Sequence, residues 1–359
     1  MIVYFIFSSI TFLQFYIPLV LEFKKKNHYP HFIVRPCYKD YANPFSKENF
    51  PVLIKYAQKY NIKLIDSRKI NIRNIKGLVF MVEGDICGPP QTISIYESLL
   101  GKLDEKNTIR ISLVEHMNYK WAYQYYISKI NYVIFQGKKF IKQIICDRNL
   151  MIENEKKNLF LGNTKFDNIP CEIEIYKKYN LGKYHKYCLI LFPKIQFRND
   201  YSDNELLNIY NIIKELDFKI IVKTRPKDNI DKYKIAEKFR GDNFICSDIY
   251  PNESLELMKV CDLCIMFSSS ASDETLFCKI PTLDFPVIWD RLGQVERNEF
   301  LIDDKIFKRV SNWRKINKEE LNEIIANLES KNSKYFDVLL NKNIINAGCS
   351  SKKIVDKFL

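Results

Sequence analysis

The sequence lacks the short motifs of several large enzyme classes. It has no Walker A loop, no G-x-G-x-x-G, no H-E-x-x-H and no G-x-S-x-G, so P-loop, dinucleotide-fingerprint, zincin and α/β-hydrolase chemistry is not indicated. Histidine is scarce, with four in 359 residues. Ten cysteines are scattered, and the one close pair is Cys261 and Cys264. A zinc site would need a second pair or nearby histidines, so we expect no metal site.

The Cys261–Cys264 pair runs into an apolar segment instead of opening a helix after a strand, as a redox C-x-x-C does. We therefore interpret both residues as buried thiols. Free buried thiols are typical of a reducing compartment. We accordingly expect a cytoplasmic location, with peripheral membrane contact as an open alternative.

The chain also lacks a nucleic-acid-binding motif and any polar tract long enough to predict disorder. Its formal net charge is +13, yet the one tight basic run is Lys24–Lys26. A basic balance can attract nucleic acid, anionic lipid or phosphorylated substrates. Because the charge is diffuse, we interpret it as a solvated surface and expect no nucleic-acid partner.

The first 21 residues carry no charge and allow two interpretations. They could span a bilayer, with Lys24–Lys26 on the cytoplasmic side. Alternatively, Ile2–Phe7 is a buried strand, Ile10–Phe23 a core helix that Pro18 would kink or shorten, and His31–Val34 the next strand. We favour this βαβ opening because later segments repeat it.

Short apolar runs alternate with helical patterns along nearly the whole chain, which predicts an α/β fold with parallel sheets. The polar, Tyr- and Lys-rich stretch Asp167–Tyr187 reads as an interdomain linker. The length suits two domains. We expect an N-terminal domain over 1–170, a C-terminal domain over 183–340 and a closing helix within 341–359.

Two clusters that follow strands in the second half have phosphate-binding chemistry. Ser268, Ser269 and Ser270 crowd hydroxyls at a strand-to-helix junction, where free backbone N–H groups also favour anions. Glu274, one turn into that helix, could accept hydrogen bonds from a ribose. Arg225 and Lys223 form a second cluster, and arginine binds phosphate in a bidentate manner. The competing interpretations are ordinary helix capping and a basic surface loop.

Two clusters that follow strands in the first half have acid–base chemistry. Glu115 and His116 end one predicted strand, and histidine can act as a general base near neutral pH. Glu83-Gly84-Asp85 ends another, and Asp85 could act as a base or bind a sugar hydroxyl. A structural histidine and a plain turn are the competing interpretations.

The segment Val260–Asp284 resembles the nucleotide-binding segment of GT-B enzymes, where D-hydrophobic-Ser-Ser…Glu-Ala…K-x-P is typical. CDP-glycerol glycerophosphotransferases and related surface-polysaccharide glycosyltransferases carry such Ser-Ser pairs, and UDP-N-acetylglucosamine 2-epimerases carry an analogous Ser-Gly-Gly…Glu-Glu. Other segments match these two groups in the same order along the chain: Gly84-Asp85, Val114–His116, Gly162–Asp167, Ile221–Pro226 and Gly348–Asp356.

The resemblance implies an α/β GT-B architecture, in which two Rossmann-like domains with parallel sheets face a cleft. It implies a transferase that moves a sugar or a polyol phosphate from a nucleotide donor, expected to be a UDP sugar, to a glycan or lipid-linked acceptor. No tightly bound cofactor and no metal are implied. The donor would contact the second-half residues Ser268, Ser269, Ser270, Glu274, Arg225 and Lys223. The acceptor would be deprotonated by His116, Glu115 or Asp85.

Two alternatives remain at this point, a nucleotide-sugar 2-epimerase and a non-catalytic binding protein on the same fold. The sequence departs from the epimerases in having Ser269-Ser270 in place of Gly-Gly and no His-Arg-x-Glu-Asn after Lys223. It departs from the transferases in having Arg225 in place of a histidine, which preserves charge but not proton transfer.

Overall fold

The computed structural model describes residues 1–36, 43–82, 102–114, 129–137, 155–183, 185–193, 201–224, 243–245, 253–267, 269, 271–287 and 304–359. The chain divides into two compact units. Unit 1 comprises Met1–Asn168 and Lys342–Leu359, and unit 2 comprises Ile169–Asn341. The chain therefore returns to unit 1 for its last 18 residues.

Unit 1 contains a seven-stranded sheet whose pairings are all parallel among the described residues. The strand order is β3-β2-β1-β4-β5-β6-β7. The strands are β1 (Ile2–Phe7), β2 (Tyr29–Val34), β3 (Lys63–Asp66), β4 (Gly77–Val82), β5 (Thr108–Leu113), β6 (Tyr132–Phe135) and β7 (Asn158–Phe160). Its described helices are α1 (Leu13–Lys25), α2 (Asn49–Lys59) and, from the chain end, α9 (Ser350–Phe358).

The amino-terminal segment is a core strand and helix, as the favoured interpretation predicted. Phe5 is fully buried and its ring packs against Phe32 and Phe80, with centroids 5.8 and 5.3 Å away. Such aromatic clusters bury large apolar areas. Tyr16 on α1 donates a hydrogen bond to the Ile6 carbonyl at 2.7 Å, which fixes the helix on the sheet. No helix in the described part of the chain is long and apolar enough to cross a membrane.

Pro18 lies inside α1 and does not end it. A 3-10 turn over Ile10–Phe12 precedes the helix, which begins at Leu13 and continues to Lys25, two residues beyond the predicted end. Ser9 starts that turn by accepting a hydrogen bond from the Thr11 amide at 3.3 Å.

Helix α9 is held on unit 1 by a buried carboxylate. Asp167 accepts hydrogen bonds from the backbone amides of Ser350 (3.1 Å) and Ser351 (2.6 Å), the first two residues of the helix. A carboxylate at this position satisfies amides that have no partner within the helix. Burial raises the pKa of Asp167, and the hydrogen bonds from Ser351 and Ser350 oppose that shift. Two segments that resembled family motifs, Gly162–Asp167 and Gly348–Asp356, are thus bonded to each other.

Unit 2 contains a six-stranded sheet whose described pairings are also all parallel, in the order β10-β9-β8-β11-β12-β13. The strands are β8 (Tyr187–Leu191), β9 (Lys219–Lys223), β10 (Asn243–Ile245), β11 (Leu263–Met266), β12 (Thr282–Asp284) and β13 (Phe307–Arg309). The described helices are α3 (Glu172–Lys178), α4 (Asp203–Glu215), α5 (Glu253–Val260), α6 (Ser272–Phe277), α7 (Lys318–Ala326) and α8 (Lys334–Asn343). The predicted α/β class with parallel sheets is confirmed.

The core of unit 2 contains the thiols of Cys261 and Cys264, which the sequence predicted to be buried, together with that of Cys188. Cys188, Cys261 and Cys264 are fully buried, and burial raises the pKa of each thiol well above its usual range. Because the thiolate is the reactive form, these residues are packing groups. Elsewhere in this core the Trp313 and Phe285 rings stack with centroids 5.7 Å apart.

The boundary between the two units, after Asn168, falls inside the predicted linker, but most of that stretch is folded as part of unit 2. Asp167–Tyr187 contains helix α3, which begins directly after Cys171, and a capping box closes its first turn through Glu174. Its buried contacts are few: Ile175 is the buried residue of the helix. A short helix with one buried apolar residue shows little hydrophobic periodicity, so its pattern resembled a linker.

Gly162 lies close to Ile345 and to Ser350, the first residue of α9, and this close packing leads to a stability prediction. Gly162 has φ +98° and a Cβ there would overlap Ser350 Oγ and the Ile345 carbonyl, whereas Gly348 has φ +83° with no atom within 4 Å of its Cβ position. We expect Gly162→Ala to lower the free energy of unfolding by about 3 kcal/mol or more, since strain and overlap add. Gly348→Ala, which adds strain alone, should cost about 1 kcal/mol. Equal losses in urea denaturation of the two variants would contradict this account.

Candidate functional site

Each sheet has a point where its strand order reverses. In unit 2 the order runs outward from β8 to β9 and β10 on one side and from β11 to β12 and β13 on the other. In unit 1 the same reversal falls between β1 and β4. Crevices form beyond the carboxyl ends of parallel strands at such points, and ligands bind there in open α/β sheets.

In unit 2 the serine cluster follows β11 at this reversal. Ser268 and Ser270 lie outside the described residues, whereas Ser269 and Glu274 lie within them. Ser269 Oγ accepts a hydrogen bond from the Ala271 amide at 3.4 Å, just before α6. Both Ser269 and Glu274 are half-buried. The described serine therefore supports the turn while keeping part of its surface exposed.

Lys223, at the carboxyl end of β9, forms a buried ion pair that the sequence did not reveal. Its Nζ lies 2.9 Å from Glu253 Oε2, and each side chain is 7% exposed. Lys223 Nζ also donates to the Thr224 carbonyl. Glu253 is the first residue of α5, the helix that follows β10 in the sequence. The charge of Lys223 is thus already balanced within unit 2.

Thr224 is the last described residue before Arg225, which itself lies outside the described residues. Thr224 is 2% exposed, and its Oγ1 has no hydrogen-bond partner in the described structure. A buried hydroxyl without a partner is costly and marks a place where a ligand or water can be accepted. The Lys223–Glu253 pair holds the carboxyl end of β9 in place. Thr224 and Arg225 are the next two residues in the sequence.

In unit 1 the proposed acid–base residues Asp85, Glu115 and His116 lie outside the described residues. The strands that precede them are described and adjacent. Val82, the last residue of β4, pairs in register with Leu113, the last residue of β5. Since neighbouring strands are about 4.8 Å apart, β4 and β5 end side by side at one edge of the sheet.

Three residues at the carboxyl edges were not singled out from the sequence. Arg35 directly follows β2 and is 7% exposed, and its amide donates to the Phe7 carbonyl at 2.9 Å. Ser9, 6% exposed, follows β1. Asp284 ends β12, pairs in register with Met266 and is 1% exposed. The sequence contained a signal for Arg35. The dipeptide Arg35-Pro36 directly after β2 repeats Arg225-Pro226, which comes shortly after β9.

Among the described residues, no group of three or more His, Cys, Asp or Glu side chains could hold a metal ion. The chemistry available at the described edges is therefore that of hydroxyls, buried charges and backbone amides. These groups suit the binding of a polar, negatively charged ligand.

No protein-family model matches the sequence, and no curated protein sequence matches it. Solved structures, in contrast, are similar to this chain over nearly its whole length. The UDP-GlcNAc 2-epimerase from Neisseria meningitidis bound to UDP-GlcNAc is similar with a TM-score of 0.61 at 15% identity, covering 99% of both chains. A putative UDP-N-acetylglucosamine 2-epimerase from Listeria monocytogenes has a TM-score of 0.61 at 12% identity, covering 99% of this chain and 94% of that one. The wall teichoic acid polymerase TagF has a TM-score of 0.58 at 12% identity, covering 99% and 87%.

These likenesses extend over the whole chain and confirm the GT-B fold class with its Rossmann-like units. They also agree with the resemblance stated from the motifs, since both UDP-N-acetylglucosamine 2-epimerases and a wall teichoic acid polymerase are among the similar structures. At 12–15% identity these similarities establish the fold. The reaction has to be inferred from the residues of the site.

The buried Lys223–Glu253 pair generates a stability prediction. Removing one partner of a buried pair leaves an uncompensated charge and costs about 3–5 kcal/mol. We expect Glu253→Gln to lower the free energy of unfolding by that amount, and Lys223→Met combined with Glu253→Gln to recover much of it. The matched control is Lys318→Gln, which breaks an exposed pair with Glu215 (3.3 Å) and should cost under about 1 kcal/mol. A double variant less stable than Glu253→Gln would contradict the assignment.

Proposed function

We propose that this chain is a GT-B transferase that moves a sugar or a polyol phosphate from a nucleotide donor to a glycan or lipid-linked acceptor. The observation that carries the proposal is the position of Ser268, Ser269 and Ser270. In the sequence they follow Phe267, the residue after β11, and β11 lies beside β8 where the strand order of the unit 2 sheet reverses. Three hydroxyls at a reversal point exceed what helix capping requires.

In this proposal the donor diphosphate binds to unit 2. The serine hydroxyls donate hydrogen bonds to phosphate oxygens, and Arg225 binds them in a bidentate manner. Glu274 accepts from the ribose. Lys223 acts through its pair with Glu253: it holds the end of β9 and so positions Arg225. Stabilising the negative charge that develops on the departing nucleotide is the main catalytic task of these groups.

The acceptor hydroxyl is activated by unit 1. His116, Glu115 or Asp85 takes its proton, and the three follow two adjacent strands, β5 and β4. A general base must lie within hydrogen-bonding reach of the proton it removes. Neighbouring strand ends supply a base and a second polar group to orient it or the acceptor.

The solved structures of similar fold support a nucleotide-linked substrate. The Neisseria epimerase was solved with UDP-GlcNAc, and TagF was soaked with the compound abbreviated CDPG. A uridine or cytidine diphosphate donor fits the proposal, and we favour a UDP sugar.

A nucleotide-sugar 2-epimerase is the second candidate, favoured by the similar TM-scores of the epimerase structures. It ranks second because Ser269-Ser270 replaces the Gly-Gly of those enzymes and no His-Arg-x-Glu-Asn follows Lys223.

Ligand binding tests the donor site. We expect UDP or a UDP sugar to raise the melting temperature of the wild-type protein, and Ser269→Ala and Arg225→Ala each to weaken binding about tenfold or more, since each removes a hydrogen bond to a charged group. The exposed residues Ser311 and Arg73 supply matched controls, Ser311→Ala and Arg73→Ala, which should bind like wild type. The absence of a shift with every UDP-, GDP-, CDP- and dTDP-linked ligand would refute the enzymatic proposal.

Product analysis separates the two candidates. We expect UDP-N-acetylglucosamine incubated with the protein alone to remain unchanged by NMR, because a transferase needs an acceptor. Formation of the 2-epimer would overturn the transferase proposal in favour of the isomerase.

A further inference from the structure

A pocket lies in unit 1 at the edge of the sheet opposite to the carboxyl ends of β4 and β5. It has a volume of about 350 Å³. Tyr29 and Lys63, the first residues of β2 and β3, lie in its wall, so it is at the amino ends of the strands. The lining residues are Lys24, Asn27, His28, Tyr29, Pro30, His31, Asn61, Ile62 and Lys63.

The pocket has a positive lining. It contains two lysines and two histidines, and none of its lining residues in the described structure is acidic. The neighbouring Lys25 and Lys26 are ion-paired, with Glu22 and Asp356 respectively. Lys24 and Lys63, which line the pocket, form no ion pair among the described residues.

Lys24 is fixed in place. Its Nζ donates to the carbonyl of Tyr60 at 2.5 Å, at the carboxyl end of α2. An ammonium group has three donors, so two remain for a ligand. The helix end carries about half a negative charge, which offsets only part of the charge of the two lysines.

His31 and Lys63 face the same side of the sheet. They are register partners on adjacent parallel strands, and Tyr29 lies on that face of β2 two residues before His31. Burial and the charge of Lys63 lower the pKa of His31. The Nδ1 atom of His31 is buried without a hydrogen-bond partner in the described structure. A neutral imidazole beside Lys63 leaves the positive charge of Lys63 uncompensated within the pocket, and a bound anion would balance that charge.

The remaining lining is suited to hydroxyl groups. Asn27 and Asn61 contribute carboxamides from turns in which both have left-handed backbone angles, φ 60° and 45°. The Tyr29 side of the pocket is open, since that residue is 65% exposed. Carboxamides can both donate to and accept from hydroxyls, and an aromatic ring offers an apolar face.

We propose that this pocket, which we call the amino-edge pocket, binds a small phosphorylated molecule. The phosphate contacts Lys24 and Lys63, and the carboxamides and Tyr29 contact its hydroxyl-bearing part. The site is separate from the donor site of unit 2 and does not depend on the proposed reaction.

Histidine NMR tests the amino-edge pocket, because the chain has only four histidines and His→Gln variants can assign their ring signals. We would titrate inorganic phosphate and glucose 6-phosphate into the full chain at constant ionic strength. We expect saturable shifts of the His28 and His31 signals while His185 stays unchanged, with glucose 6-phosphate binding more tightly than phosphate.

The variants identify the cause of the shifts. Lys24→Gln with Lys63→Gln should weaken binding about tenfold or more, and Lys63→Gln alone, at an exposed position, should weaken it without affecting the Lys24–Tyr60 contact. Lys25→Gln with Lys26→Gln removes the same charge from the same region and should leave binding unchanged. The absence of a saturable shift, or equal weakening in both double variants, would overturn the proposal.

Discussion

Parallel strand pairing is the constraint on which the rest of this structure depends. Every described pairing in both sheets is parallel, so all carboxyl ends of a sheet lie at one edge. Polar residues distant in sequence, such as Ser269 and Thr224, therefore lie at the same edge of the unit 2 sheet without any local motif. In open α/β sheets ligands bind beyond this edge, at the point where the strand order reverses.

Two buried charged groups at the sheets have polar partners. Lys223 and Glu253 lie at the carboxyl edge of unit 2 and neutralise each other, and Asp167 is bonded to the first amides of α9 in unit 1. A buried charge without a partner is costly, so these contacts hold elements in place. Part of what resembled a family signature, Gly162–Asp167 with Gly348–Asp356, thus has a structural explanation in the docking of α9.

The sequence predicted β1 at its observed bounds, Ile2–Phe7, because a continuous apolar run followed by a turn marks a buried parallel strand. It missed α3, α8 and β13. The bounds of β13 enclose only three residues, two of them charged, Phe307–Arg309, and such a segment carries no strand pattern. In the candidate site, residue type and strand position singled out Ser269 and Lys223, whose roles stay predictions. Residue type and strand position could not identify Glu253. Its pairing with Lys223 depends on which helix begins beside β9 in the folded chain, and the sequence does not show this.

Hydrogen–deuterium exchange with and without UDP tests most directly whether the reversal in unit 2 binds the nucleotide. The account predicts slower exchange in peptides that cover 267–275 and 222–226 when UDP is present, with no change in peptides that cover Asn27–His31 at the amino edge of unit 1. Unchanged exchange across 267–275 at saturating UDP, with protection confined to another part of the chain, would contradict it.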